Sequence, residues 1–588
     1  MALLQLDVGL FYSAIINACH CVIEQRDALN AINVFPVADG DTGNNMAATA
    51  QAIINHAALK STLTETCQSL ANAGILGARG NSGMIFSQFF NGFLEISLPE
   101  TFNTIDFAKL IKTACESVRA AIINPVEGTI ITVMDAWANS LAEKAPQITC
   151  FNLLLSSTTD AVDIALTSTM NTLKLLKESQ VVDAGALGFS FFIKGFREFL
   201  EHPTQERINS EFIFEQDAHE FPSHTTLPTT RYCTEALLSN DALNKLSVTN
   251  ALQPLGNSMV ITANQNLCRV HIHSNRPPDV FTTLFNIGKI QYSKVDDMLR
   301  QYQVIHEKKH SIALVTDSSI NIPQQLFDEH QAHLIPFNVE LDGHHLLDKY
   351  CFDNHRIFTI LDSLKTYPTT SSPTLALINE KISFLAKHYD HVLIISVAQA
   401  LSGTYNAMLN AAKHYSNVHV IDSCHVSGSQ GLLLNYAAQL INKNYSILEI
   451  KEALLEKIAK TYLFIMVNHF DYLIRSGRVS RLKGKLAQYT GLKPIISLDR
   501  KGQLIVVDKA FNEVKALSKL VTNVSALIND AGLDNYCIIH AGVPQKAQEF
   551  ALMTTEAFKK EPLFIEPVSI AIGLHAGKGC MAIAATLN

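Results

Sequence analysis

Up to about residue 202, apolar positions recur at intervals of three and four, as in residues 107–123 and 161–177, with polar residues between them. That is the period of helices burying one face. Gly and Pro cluster at the joints, in residues 36–43, 77–83 and 124–128, where loops are expected. The pattern predicts an all-α domain over residues 1–202. A polar, weakly patterned stretch, residues 203–228, reads as a linker. Short β-like runs follow, including residues 259–262 and 268–273, which predict a small α+β domain over 203–305. From there the grammar changes again. Runs at 311–316, 391–396, 418–421 and 536–540 alternate with helix-length amphipathic stretches. The alternation predicts an α/β domain with a mainly parallel sheet over 306–588.

Composition narrows the functional classes. With 47% hydrophobic and 17% charged residues in 588, the chain has apolar material for roughly three to four domains. A net charge of −8 argues against a duplex nucleic acid partner, which calls for a strongly basic face. Eleven scattered cysteines read as reduced thiols of a cytoplasmic protein rather than a disulfide framework. The N-terminus lacks the basic region of a signal peptide. The longest uncharged stretch, residues 392–412, contains Gln, Ser, Gly, Thr, Tyr and Asn, so no membrane span is expected.

The most informative segment is Asn33-Val-Phe-Pro-Val-Ala-Asp39-Gly-Asp41-Thr42-Gly43-Asn44-Asn45. Two carboxylates flanking a glycine offer hard oxygen ligands suited to Mg2+. Glycines let backbone N–H groups approach a phosphate closely. A lone Asp-Gly-Asp is more often a charged turn capping a helix. An EF-hand fails because Gly43 stands where a third oxygen ligand belongs, and no GxxxxGK[ST] run is present. Three further segments shift the balance: Gly77-Ala-Arg79-Gly80-Asn81-Ser82-Gly83, Pro125-Val-Glu127-Gly128-Thr129 and Val181-Val-Asp183-Ala-Gly185. Together with the first they resemble the nucleotide-binding domain of dihydroxyacetone kinases, in the variant found in bacterial fatty acid kinase. The resemblance implies a helical barrel whose end loops hold ATP and Mg2+. Asp39 and Asp41 would hold the metals, with Asn33 near the place of a third acidic ligand. Thr42, Gly43, Asn44, Asn45, Asn81, Ser82, Gly83 and Thr129 would cradle the nucleotide. Arg79 is a candidate for stabilising transition-state charge, with a structural salt bridge as the alternative.

In the middle region Tyr232-Cys233-Thr234-Glu235 is followed by His271-Ile-His273. Alternate strand residues share a face, so both imidazoles could reach one ion with Cys233; a lone His-x-His is more often a solvated strand face. The segment resembles the middle domain of fatty acid kinase, which implies Zn2+ on Cys233, His271 and His273. The fourth ligand is open, with His202, His219 and His224 as candidates.

The C-terminal marks run Val315-Thr-Asp317-Ser318-Ser319, Thr370-Ser371-Ser372-Pro373, Leu401-Ser402-Gly403-Thr404-Tyr405, Ile421-Asp422-Ser423, Gly477-Arg478-Val479-Ser480 and Gly573-Leu-His575-Ala-Gly577. In this order they resemble the two-lobed DegV fatty-acid-binding proteins. The resemblance implies that Thr370, Ser402 and His575 hold the carboxylate of a long-chain fatty acid, whose tail needs an apolar tunnel. Arg478 lies in the basic run of Arg475, Arg481, Lys483 and Lys485, where an acidic surface or ATP phosphates would dock. Ser423 with Asp422 and His425 is set aside as a hydrolase triad, because three residues on one strand end cannot each support the next.

The expectation is a multidomain fatty acid kinase that converts a bound fatty acid and ATP into acyl phosphate and ADP. The resemblance adds a membrane acyltransferase as recipient, and a homodimer is expected as the assembly. Its rivals are a small-polyol kinase of the dihydroxyacetone type and a lipid sensor with an inactive kinase half.

Overall fold

The structure is a computed structural model describing residues 3–35, 40–97, 99–122, 124–203, 227–353, 358–359, 361, 364, 366–468, 472 and 492–588. The chain folds into two compact units, Met1–Gln303 and Val304–Asn588. No helix among the described residues is long and apolar enough to cross a membrane.

The first unit opens with a short pair of strands, β1 (Leu6–Asp7) and β2 (Thr101–Phe102). Its helices are α1 (Val8–Glu24), α2 (Arg26–Ala31), α3 (Thr42–His56), α4 (Leu63–Gly77), α5 (Gly80–Asn91), α6 (Thr104–Ala121), α7 (Ile130–Lys144), α8 (Phe151–Ser157), α9 (Thr159–Thr172), α10 (Lys174–Ser179) and α11 (Ala184–Glu201). Their inward faces meet in an aromatic core. Phe89 on α5 meets Phe93, Phe189 and Phe192 edge-on at 5.1, 5.2 and 5.8 Å between ring centroids, the geometry that ring quadrupoles favour. Close helix crossings use small residues: a Cβ on Gly195 of α11 would stand 2.9 Å from the Cα of Ala18 on α1.

The helical stretch expected over 161–177 is broken. Leu173 is extended (φ −105°, ψ 132°) between α9 and α10. The break seats the loop before α7, since a Cβ on left-handed Gly128 (φ +84°) would stand 2.6 Å from Thr172 Cβ. Periodicity could not show this, because both halves keep an apolar face.

The same unit contains a four-stranded antiparallel sheet in the order β4-β5-β3-β6. Its elements are β3 (Tyr232–Ser239), α12 (Lys245–Leu252), β4 (Asn257–Ala263), β5 (Leu267–Ser274), α13 (Pro277–Ile287) and β6 (Lys289–Asp297), and α14 (Met298–His306) follows. The runs at 259–262 and 268–273 form β4 and β5. One face of this sheet covers the start of α5: Val260 packs with Ala78 and Met84, and Thr262 Oγ1 donates to the Met84 carbonyl at 3.2 Å.

The second unit has two larger sheets and a small one. β7 (Ile312–Asp317), β8 (His333–Ile335), β12 (His391–Ser396) and β13 (Val418–Asp422) form a parallel sheet in the order β13-β12-β7-β8. β9 (Asn338–Leu341), β10 (His344–Leu347) and β11 (Thr369–Ser371) form an antiparallel ribbon, β10-β9-β11. The last sheet, β16-β15-β14-β19-β17-β18, joins β14 (Thr461–Met466), β15 (Lys493–Leu498), β16 (Leu504–Ala510), β17 (Leu533–His540), β18 (Ile565–Pro567) and β19 (Met581–Leu587). Only its β17–β18 pair is parallel. The mainly parallel sheet expected for the region therefore holds for the first lobe and fails for the second. Of the central strands there, β19 is buried on every residue and β14 on both faces, with only Tyr462 and Ile465 half-buried. Such continuous apolar runs mimic parallel strands when both faces are covered.

Candidate active site

Four loops of the first unit come together at the starts of α3, α5, α7 and α11. A Cβ on left-handed Gly80 (φ +54°) would stand 2.2 Å from Asn45 Nδ2, so the start of α5 lies directly on α3. A Cβ on Gly188 of α11 would stand 2.6 Å from Met46 Sδ on α3. Asp183 caps α11 by accepting from Ala186 N at 2.7 Å and also receives backbone hydrogen bonds from Ile130 of α7 and from Gly185. Burial raises its carboxyl to about 6, with those hydrogen bonds working in the opposite direction.

Asp41 holds the N-cap position of α3 (φ −110°, ψ −5°), but its side chain makes no capping hydrogen bond. Asp39 lies outside the described residues. Asn33, 5% exposed, accepts from Thr42 Oγ1 at 2.8 Å. Asn30, which no sequence motif marks, accepts from Asn44 N and donates to Asn44 Oδ1, both at 3.1 Å. The Thr42 and Asn44 side chains therefore build the loop itself. Gly43 and Gly83 serve helix contacts: their Cβ atoms would stand 2.0 Å from the Arg26 carbonyl oxygen and 2.7 Å from that of Asn45.

At the start of α5, Arg79 occupies the N-cap and is exposed. Asn81 Oδ1 and Ser82 Oγ are buried without a hydrogen-bond partner. Orphaned polar atoms beside a helix N-terminus suit an anionic ligand with hydroxyls. Together with the uncommitted cap carboxylate of Asp41, they fit a nucleotide with a divalent cation. Thr129 at the start of α7 donates its hydroxyl to the Val126 carbonyl at 2.8 Å.

Antiparallel register assembles the metal-type cluster. Cys233 stands opposite His273 and Glu235 opposite His271, so all four side chains share one sheet face. Cys233 Sγ lies 3.7 Å from His271 Nδ1, and the two histidine Nε2 atoms are 3.2 Å apart. The ligand atoms of Cys233, His271 and His273 all fall within 4.8 Å of one another. One sulfur and two imidazoles fit three positions of a tetrahedral zinc site. His202, expected as a candidate fourth ligand, is the exposed cap after α11 and no part of this group; His219 and His224 lie outside the described residues. Burial, then the Glu235 carboxylate, pushes the Cys233 thiol well above its ordinary range, and Asp41 adds to the same effect. The α3 loop is thus within electrostatic reach of the cluster.

In the second unit, Thr370 Oγ1 meets His575 Nε2 at 3.2 Å. Two residues on from Thr370, Ser372 joins a hydroxyl cluster with Ser402 (3.5 Å) and Thr404 (3.0 Å), and Ser402 lies 2.9 Å from Thr404. The segment at β11 therefore links Thr370, Ser402 and His575, and all three are half-buried. Ser372 and Thr404, absent from the expected set, belong to the site as well. Tyr367, whose hydroxyl donates to the Leu574 carbonyl, anchors the helix Ile570–Ala576 that carries His575. Arg478 and its basic neighbours lie outside the described residues.

Other marks are structural. Asp317 is fully buried and accepts from Ser319 N at 3.1 Å and Val397 N at 2.7 Å, joining the ends of β7 and β12. Ser423 Oγ donates to the His425 carbonyl at 3.0 Å, while the His425 ring faces the Ile458 carbonyl at 3.4 Å. Burial lowers that imidazole to about 4, and the Ser423 hydroxyl is spent on the backbone of His425 rather than on its ring.

Comparison with known proteins finds three family models that match successive segments of the chain. A DAK2 domain model matches residues 36–198, a model for the FakA-like middle domain of fatty acid kinase matches 229–305, and the DegV family model matches 311–588. An uncharacterised protein of Staphylococcus saprophyticus is 30% identical over 323 residues, 52% of this chain and 58% of the relative. The protein YloV of Bacillus subtilis is 30% identical over 322 residues, again covering 52% and 58%. The chain thus spans somewhat over half the length of the curated relatives it matches. Among solved structures, the fatty acid binding protein DegV of Bacillus subtilis aligns at 24% identity and TM-score 0.44, covering 48% of this chain and all of that one. A fatty acid binding DegV family protein of Streptococcus agalactiae aligns at 26% and 0.44, covering 47% and 99%. The chain is a multidomain protein with a DAK2-type helical region and a DegV α/β region. More particularly, its domain content, with DAK2, FakA-like middle and DegV models matching in one polypeptide, matches a FakA-type fusion.

Proposed function

We propose that this chain is an ATP-dependent fatty acid kinase. The observation that carries the reading is the domain content: a FakA-like middle domain between a DAK2 domain and a DegV domain. The orphaned atoms of Asn81 and Ser82 support a nucleotide at α5. The cluster of Thr370, Ser372, Ser402, Thr404 and His575 supports a carboxylate head group in the second unit.

In the reaction a carboxylate oxygen of the fatty acid bonds to the γ-phosphorus of ATP. The bond to the bridging oxygen breaks, and ADP leaves with its electron pair, giving acyl phosphate. No proton moves, so no strong general base is needed; positioning and charge neutralisation carry the rate. Asp39 and Asp41, with Asn33 as a third oxygen ligand, would hold Mg2+, which would supply neutralising charge. Arg79 would face the same phosphates, and Arg478 would serve the docking of the carrier. Cys233, His271 and His273 would hold a structural Zn2+.

The test is incubation of the purified full chain with labelled ATP and either oleate or dihydroxyacetone, trapping the product with hydroxylamine. Oleoyl hydroxamate is the expected product. Phosphorylated dihydroxyacetone, or no product with either acceptor, would overturn the reading.

A further inference from the structure

Glu235 is 4% exposed, and a buried carboxylate is tolerated only with strong partners. It has three. Arg269, stacked on the Tyr292 ring at 4.5 Å, donates to Oε2 at 2.9 Å. His271 Nδ1 lies 3.4 Å from Oε1. The third comes from the helical domain, 155 positions earlier: Gly80 N donates to Oε1 at 3.0 Å.

Gly80 opens α5, and the next two residues are Asn81 and Ser82, whose buried polar atoms lack partners. The middle domain grips this helix along its length. Thr262 Oγ1 donates to the Met84 carbonyl at 3.2 Å, and Asn91 Nδ2 donates to the Ala263 carbonyl at 2.6 Å. Those two contacts act on the body of α5, beyond its first turn. A left-handed glycine is the softest joint in that turn. The Glu235 carboxylate is the group of the sheet that holds Gly80 itself.

We infer that Glu235 is a positioning residue of the nucleotide site: its carboxylate fixes the Gly80 N–H and so aims Asn81 and Ser82 at the ligand. The inference rests on the reading that nucleotide binds at α5. It makes the middle domain part of the nucleotide site.

The experiment uses the full chain with Glu235→Ala and Glu235→Gln. Mg-ATP affinity is measured by calorimetry, hydrogen exchange over residues 78–86 and 232–239 by mass spectrometry, and metal content by elemental analysis. Glu235→Ala is expected to weaken Mg-ATP binding about tenfold, the size of one hydrogen bond. Exchange should speed up over residues 78–86 only, with metal content unchanged. Glu235→Gln keeps an acceptor for Gly80, so its loss should be smaller, and it decides the matter if the alanine variant does not fold. Parent-like affinity in both variants, faster exchange in the β3 peptide as well, or loss of metal alongside affinity would each overturn the inference. A parent chain that binds no Mg-ATP would overturn the kinase reading and this inference with it.

Discussion

Ser402→Ala removes the hydroxyl that lies 2.9 Å from Thr404 Oγ1, accepts from Thr404 N at 3.3 Å and reaches Ser372 at 3.5 Å. The Thr404–Ser372 bond at 3.0 Å survives the deletion, so the cluster stays closed and the fold should tolerate the change. A carboxylate that loses one donor is weakened by about 1–3 kcal/mol. Burying the roughly sixteen methylenes of an eighteen-carbon chain, at about 0.8 kcal/mol each, is worth some ~13 kcal/mol gross. The tail therefore dominates retention, and the head group decides where the carboxylate points. Phosphoryl transfer depends on that aim, and a misplacement of about 1 Å can lower the rate on the order of a hundredfold. The expected outcome is asymmetric: the variant keeps fatty acid through purification but forms acyl phosphate at about 1% of the parent rate. His575→Ala should behave likewise, and Thr370→Val should follow because Thr370 holds the His575 ring. Mass spectrometry of extracted lipid reads retention, and hydroxylamine trapping reads turnover. Variants that lose all lipid, or that bind and turn over normally, would refute the reasoning.

Asp41→Asn should abolish acyl phosphate formation with an unchanged melting curve, since Asp41 makes no capping bond; near-normal turnover would remove it from the metal site. Cys233→Ala should lose one zinc per chain by elemental analysis and melt at lower temperature, whereas zinc-free parent protein would return the cluster to an ordinary strand face. Asp183 gives a pH dependence. Its folded-state value of about 6 lies above the ordinary 3.8, so the folded state binds its proton more tightly. The contribution, about 3 kcal/mol at 1.36 kcal/mol per unit, is fully present below pH ~4 and is lost as pH rises through about 6. Denaturation curves of the parent and of Asp183→Asn at pH 4 and pH 7 should differ by that amount across the window; a constant difference would contradict it.

Much of the organisation is local and was therefore legible. Helices with a 3.6-residue apolar period and strands bounded by turn residues declare themselves within a dozen positions, and each domain's motifs stand within short segments. The His271-x-His273 spacing already placed both imidazoles on one strand face, and Gly and Pro marked the loop at 124–128 before α7; the Gly-rich run at 77–83, expected as a loop, instead ends α4 and opens α5 around a two-residue link. Other features depend on which distant segments meet. Antiparallel register put Cys233 opposite His273 and Glu235 opposite His271, and strand pairing is set by turns and packing beyond any local window. The second lobe's antiparallel sheet was invisible for the same reason: a strand buried on both faces carries no sign of its neighbours' direction. Asn30, Ser372 and Thr404 are common polar residues that gain a role only from a partner 14 to 32 positions away. Gly43 and Gly83 suggested a phosphate cradle by type, whereas the structure also requires them for backbone contact with Arg26 and Asn45. Only the tertiary fold brings the Glu235 carboxylate, 155 positions away in sequence, to Gly80 N, because a buried carboxylate takes whichever donors the packed interface supplies.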